Sequence, residues 1–369
     1  MLESAISTLQ EAHGAVALGV LGGLIVGIAF GWIAEASGFC LRSAVIETTA
    51  GRTAAKPFKL TQFVAAMFAA VAATQALVLG GVIDLSEAVP VASVLNIPAL
   101  VIGGLAFGVG TILAGGCVSR LLVLGATGNL RSNVTLLIVA VAGYATLRGV
   151  LAYPRIAIEG VAPSEGVPAL LSSALGVSPT LVAAVALAFI SVVLIALVRR
   201  VGWKAVAIGF GVGGLVGAAW FVTGKLAYDE FEPIRPAALS FTAPIAETVQ
   251  YLMIATGDTL RFSIALVSGV VIGAFVSAAI SGRLGLQGFQ TERAPIRYAA
   301  GGLLMGFGGV TALGCSVGQG LSGVSTLAIG PFIALAAIVV GARMALWLQA
   351  RQVTPSVSPG SSTAVAAAE

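Results

Sequence analysis

The sequence predicts an all-α integral membrane protein of about nine transmembrane helices, with re-entrant loops at its cysteines and an inverted-topology repeat. Three observations predict it. Hydrophobic residues make up 58% of the 369 and charged ones 9%, and the mean hydropathy is +1.05; a soluble domain needs far more charge to cover its surface. The apolar residues gather into runs near the ~20 residues that cross a bilayer core. A glycine-rich segment ending in cysteine occurs twice: residues 103–117 read GGLAFGVGTILAGGC, and residues 301–315, 198 positions later, read GGLLMGFGGVTALGC.

The nine runs cover residues 14–34, 60–80, 97–114, 133–152, 180–198, 204–222, 262–280, 297–313 and 326–348. The third and eighth are short, and both end at a cysteine. Among the 48 glycines, the spacings Gly27/Gly31, Gly104/Gly108 and Gly209/Gly213/Gly217 suit close approach of helix backbones in a membrane. Residues 351–369 are rich in Pro, Ser and Ala and predict a disordered tail.

Charge orients the runs. Alternate loops beginning at 35–59 carry fourteen of the nineteen basic residues, whereas the loops of the other face carry most of the acidic ones. The positive-inside rule then places the N-terminus outside and the C-terminus in the cytoplasm; the expected location is a bacterial inner membrane. Glu3 and Glu11 precede the first run, which argues against a cleaved signal peptide. A net charge of +4, spread along the chain, does not point to nucleic acid.

With that orientation the repeat is antiparallel: Cys117 falls at the inner end of the third span and Cys315 at the outer end of the eighth. Cys40 has a counterpart too, because Ser240-Phe241-Thr242 parallels Gly38-Phe39-Cys40 at an offset of 202. Spans one to four would pair with six to nine, as transporters built on inverted repeats do. The expected division is a first repeat over 1–152, a linker with an extra span over 153–203, an inverted repeat over 204–350 and the tail.

The three cysteines make no complete disulfide framework. No CxxC or Cys/His pair suggests a metal, and the one histidine is His13. Each cysteine sits at a glycine break (Gly38, Gly115/Gly116, Gly314), where non-helical backbone is tolerated in a membrane if protein buries it or water reaches it. A thiol is a soft, weak hydrogen-bond donor, and the residues after each cysteine could begin a half-helix whose free N–H groups favour an anion. Cys40, Cys117 and Cys315 are therefore candidate stations for a sulfur anion, each a shallow well. Arg42 and Arg120 would attract it at the inner mouth, although both also read as positive-inside anchors. Thr242, Gln287, Gln290 and Gln319 could line the path.

The segments GFCLRSAV (38–45), GGCVSRLLVLGATGNLRS (115–132) and ERAPIRYAAGGLLMGFGGVTALGCSVGQGLSGVSTLA (292–328) resemble the YeeE/YedE family of sulfur-compound transporters over nearly the whole chain. The resemblance implies an hourglass-shaped protein that takes up thiosulfate or a similar inorganic sulfur anion. Cys40, Cys117 and Cys315 would pass the anion by S–H hydrogen bonds without covalent chemistry, without enzyme activity and without a cofactor. It also implies a small cytoplasmic TusA-like sulfur-carrier protein as partner, beside membrane lipid. Selenium-compound transport belongs to the same range of relatives. Two rivals come from other classes: a membrane thiol oxidoreductase or sulfurtransferase, which would want a base or cation beside one thiol, and a sulfur-anion sensor, which would want a large cytoplasmic domain.

Overall fold

The computed structural model describes residue 10 and residues 14–49, 56–93, 95–161, 169–228, 235–288 and 294–352. The expected tail from residue 353 onward, and Gln290, lie outside the described residues. Twelve principal helices follow in order: α1 (Ala15–Ser37), α2 (Leu41–Thr49), α3 (Phe58–Leu79), α4 (Ile97–Leu113), α5 (Val118–Ala126), α6 (Leu130–Arg148), α7 (Pro179–Val201), α8 (Trp203–Phe221), α9 (Thr242–Ile254), α10 (Phe262–Ile280), α11 (Ala294–Thr311) and α12 (Ile329–Gln352). A π-helical segment, Gly318–Gly323, sits between α11 and α12. Short helices over Val89–Ala92, Ala152–Glu159 and Leu171–Leu175 occupy connections.

Every predicted apolar run is a helix, with its ends displaced by a few residues. Eight helical segments among the described residues are long and apolar enough to cross a membrane. The ninth run is α11, whose 18 residues include five glycines and Arg297, so its hydropathy is lower. The chain is a multi-pass, all-α membrane protein.

Helix contacts come in exchangeable pairs. α1 packs on α10 as α8 packs on α3; α4 packs on α12 as α11 packs on α6; α2 meets α3 as α9 meets α10. The exchange holds for the shorter elements: α9 rests on α6 and α2 on α12, while α5 touches α10 and the π-helical segment touches α3. The pairs α1/α10, α3/α8, α4/α12 and α6/α11 run parallel, as successive close approaches show. Gly23, Gly27 and Gly31 meet Phe262, Leu266 and Val270 in turn, and Gly104 and Gly108 meet Ala334 and Ile338. Those are the relative directions that nine alternating crossings require. α7 stands outside the exchange and packs on α3.

At the centre α4 crosses α11, and the sequence repeat packs on itself. Gly103 lies against the Gly308 carbonyl while Gly308 lies against the Gly103 carbonyl; Gly110 and Gly301 are reciprocal in the same way. Since 103 corresponds to 301 and 110 to 308, each contact is the other turned about a local twofold. A Cβ on Gly103 would come 2.6 Å from the Ala312 nitrogen, so only glycine allows this spacing.

The offset between the copies changes from 198 to 199 across the π-helical segment: α6 starts at Leu130 and α12 at Ile329. A π-bulge is a one-residue insertion in a helix, which accounts for the change. The segment is held by Ser322 Oγ donating to the Leu239 carbonyl (2.8 Å), and the turn after it by Gln75 Nε2 donating to the Ser325 carbonyl (2.8 Å) and Trp220 Nε1 to Ser325 Oγ (3.1 Å).

Candidate functional site

Four half-helices begin at the four related breaks. Cys40, Cys117 and Cys315 each offer the carbonyl that accepts the first helical hydrogen bond, from Ala44, Leu121 and Gln319; Phe241, beside Thr242, does the same for Ile245. The turns into the first two breaks need a left-handed residue, supplied by Gly38 (φ 64°) and Gly115 (φ 76°). The position matching Gly115 in the second copy is Leu313, which holds φ 59° with a β-carbon attached. α4 spans only about 25 Å at 1.5 Å per residue, short of the ~30 Å hydrocarbon core, so Cys117 ends inside the membrane depth.

The breaks bring the thiols together. Cys40 Sγ and Cys117 Sγ lie 3.4 Å apart, and Cys117 Sγ is 3.3 Å from Ser119 Oγ. Ser316, next to Cys315, brings its hydroxyl close to the Cys117 thiol without closing a well-formed hydrogen bond. Cys315 Sγ accepts from the Gly318 N–H at 3.4 Å. All three cysteines are free and buried. Phe39 stacks on Phe63 with ring centroids 5.8 Å apart, and Phe241 meets Phe30 at 5.1 Å, so an aromatic pair backs each of the two GFC-like turns.

Beyond Cys315 a cavity of about 810 Å³ opens. Leu313, Gly314, Gly318 and Gln319 form its floor beside the cysteine, and Ser240, Arg235, Arg261 and Glu247 are in its wall. Gln319 donates from Nε2 to the Ala312 carbonyl (2.6 Å), and its Oε1 is buried without a protein partner. Thr242 is fully buried against Gly309, and its Oγ1 is likewise unpartnered.

The Cys40 end of the breaks is basic. Arg120 donates from Nη1 to the Ala34 carbonyl at 3.2 Å, and Lys59 Nζ donates to the Ser37 carbonyl. Both cations thereby sit on the C-terminal end of α1, where the helix dipole favours positive charge. Arg42, on α2, keeps a buried Nε without a partner.

The fold thus gathers Cys40, Cys117, Cys315 and Arg120 around one set of breaks and puts Gln319 on the cavity floor. Gln287 is not there: its backbone and side chain bind the α5–α6 turn through Leu130, Gly128 and Asn129. Sequence reading missed Lys59, Ser119, Ser316, Arg235 and Arg261. Lys59 and the two arginines entered only as topology charges, and nothing in their spacing tells which loop charges turn toward a path. Ser119 and Ser316 each stand one or two residues from a cysteine, and that adjacency was the available signal. Among the described residues no group of three metal-ligating side chains occurs.

Residues 36–344 match the family model described as sulphur transport. A relative from Spirochaeta thermophila, named thiosulfate transporter TsuA, is 26% identical over 345 residues, covering 89% of this chain and 99% of the relative. The Escherichia coli protein of the same name is 31% identical over 114 residues, about a third of either chain.

Proposed function

The chain belongs to the sulphur transport family, the YeeE/YedE family its motifs resemble, and on that premise we propose that it is a permease for thiosulfate or a similar inorganic sulfur anion. The observation that carries the reading is the cluster of buried thiols at helix breaks, with Cys40 and Cys117 in sulfur–sulfur contact. The anion enters the 810 Å³ cavity, meets the Cys315 thiol, and passes to Cys117 and Cys40, accepting S–H hydrogen bonds at each. The N-termini of α2 and α5 and of the helix after Cys315 add partial positive charge without a fixed ion. Such wells are shallow enough to leave, which conduction requires.

Thr242 and Gln319 line the path with polar atoms that lack protein partners. Buried polar atoms are nearly always satisfied in native structures; the Thr242 hydroxyl is free to donate to a passing anion, and Gln319 Oε1, an acceptor, to take a hydrogen bond from the anion's water. Arg42 and Arg120 draw the anion to the cytoplasmic mouth. The chain sits in the inner membrane with its N-terminus outside, its two repeats are 1–152 and 204–350, and the outward apolar face of α7 meets lipid. A TusA-like carrier would receive the sulfur compound inside.

The test is uptake of ³⁵S-thiosulfate into proteoliposomes by the wild type and by C40A, C117A and C315A, with sulfite, sulfate and selenite as competitors. Collapse of uptake in folded variants supports the path, and the competitors rank the substrates, selenium compounds included. Undiminished uptake in all three variants returns the cysteines to packing. The Cys40–Cys117 contact also gives a second reading its support, a dithiol that carries sulfur covalently: one thiolate attacks the outer sulfur of thiosulfate, the S–S bond breaks and sulfite leaves; a persulfide trapped in stoichiometric yield during turnover would favour it.

A further inference from the structure

We propose that Lys59 and Arg120 together form an oxyanion-binding site at the Cys40 end of the path, a release station that holds the anion's oxygens after its sulfur leaves the thiols. The proposal rests on the permease reading above and deepens it.

Two cations from different elements, the start of α3 and the first turn of α5, converge on one turn. A Cβ placed on Gly38 would lie 3.2 Å from Lys59 Nζ and 3.8 Å from Arg120 Nη2, so both charges flank the same point, two residues before Cys40. Like charges at such range repel, the more so where water is partly excluded. Among the described residues neither forms an ion pair; each is anchored by a neutral backbone carbonyl, Ser37 for Lys59 and Ala34 for Arg120. Glu47, the carboxylate of this neighbourhood, accepts instead from the backbone N–H groups of Lys59 (2.8 Å) and Leu60 (3.1 Å). One carbonyl uses one of three ammonium donors and one of five guanidinium donors. The remainder, with two positive charges, match a doubly charged inorganic oxyanion.

Capping the end of α1 explains why each cation is present singly, since one cation suits a helix C-terminus. It does not explain two on carbonyl groups of the same last turn, those of Ala34 and Ser37, beside a cysteine break. A site for oxygens next to a site for sulfur also fits an anion that carries both kinds of end: the thiols take one and the cations the other.

Sulfate separates the two, because it offers oxygens and no terminal sulfur. In right-side-out and inverted membrane vesicles, ³⁵S-thiosulfate flux is measured with sulfate added to one face at a time, for the wild type, K59M and K59R. Expected is inhibition from one face, weakened about tenfold in K59M by loss of a charge-assisted hydrogen bond and restored in K59R; the face that responds reports the orientation. Equal sulfate sensitivity of wild type and K59M, or no inhibition of the wild type from either face, overturns the site. Thermal stabilisation of purified protein by sulfate gives a readout that needs no flux: it should shrink in K59M and persist in K59R, and equal stabilisation of all three overturns the site. Failure of the permease reading looks different, as flux that ignores the cysteines or is absent in the wild type.

Discussion

Cys40 and Cys117 stand 77 residues apart in the chain and hold their sulfur atoms 3.4 Å apart at the junction of two broken helices. Neither thiol needs the other to satisfy a buried polar demand, since a thiol buries readily as a small hydrophobe. Their contact means that an anion resting on one is within reach of the next. Removing one donor to an ionised acceptor costs about 1.5–3 kcal/mol, which is roughly 10- to 100-fold in flux if the donor holds the anion at the barrier that limits passage. C117A should show that loss in thiosulfate uptake, while C117S, which keeps a hydroxyl donor, should lose less. Equal uptake by wild type and C117A would remove Cys117 from the path.

The same contact makes the pair oxidisable. With copper–phenanthroline as the oxidant, Cys40 and Cys117 should join in a disulfide with loss of two thiol protons and two electrons, pinning the turn before α2 to the turn before α5. Uptake should stop and return on reduction with dithiothreitol. C315A keeps the pair and should still crosslink by mass spectrometry, whereas C40A should not. A protein that keeps all three free thiols under oxidant would contradict the contact.

Packing at the centre gives a stability prediction. An added methyl at Gly103 or Gly308 meets backbone at 2.6 or 2.5 Å, and overpacking of this kind costs roughly 1–3 kcal/mol. G103A and G308A should each lower the melting temperature of the purified protein. Because the two positions face each other, the double variant should lose less than the two single losses added. Simple addition of the two losses would mean the helices separate independently at the two points.

The fold was legible because membrane spans announce themselves by length and apolarity: α10 occupies residues 262–280 as expected, and α7 runs three residues past its predicted end. The cysteine breaks were legible because Gly38 and Gly115 mark left-handed turns. The second copy hid the same turn, since Leu313 takes the conformation without the residue that advertises it. The π-helical segment was hidden for a related reason: one inserted residue shifts an offset from 198 to 199 but alters no composition. The cation pair at Gly38 was out of reach, because Lys59 is brought there by the packing of α3 against α2.

Leu313 itself offers a test. A left-handed conformation costs an L-residue roughly 1–2 kcal/mol, whereas glycine costs roughly 0.5–1 kcal/mol more to order. Leu313 is 43% exposed, so its truncation gives up roughly 1 kcal/mol of burial, about what relief of the strain returns. L313G should therefore leave the melting temperature nearly unchanged, where a leucine in ordinary backbone would lose stability. A clear fall would mean that the side chain supports the cavity floor.

The cavity wall gives the last prediction. Arg235 and Arg261 line the cavity whose floor includes Gly314, the residue before Cys315. Arg261 has an acidic partner at 3.5 Å, Asp258, but its own side chain is 64% exposed, and an exposed pair of this kind is worth at most about 1 kcal/mol. Asp258, and Glu247 in the same wall, offset part of the entrance charge, and Arg235 and Arg261 leave the cavity lining positive for an approaching anion. Charges that line a wide entrance raise the local concentration of a counter-ion without distinguishing bound from crossing states. R261M and R235M should therefore raise the half-saturating thiosulfate concentration several-fold and leave the maximal rate near that of the wild type. The rise should shrink as ionic strength increases, because salt already screens the wild-type entrance. A loss of maximal rate at unchanged half-saturation would place these arginines at the barrier instead of the entrance.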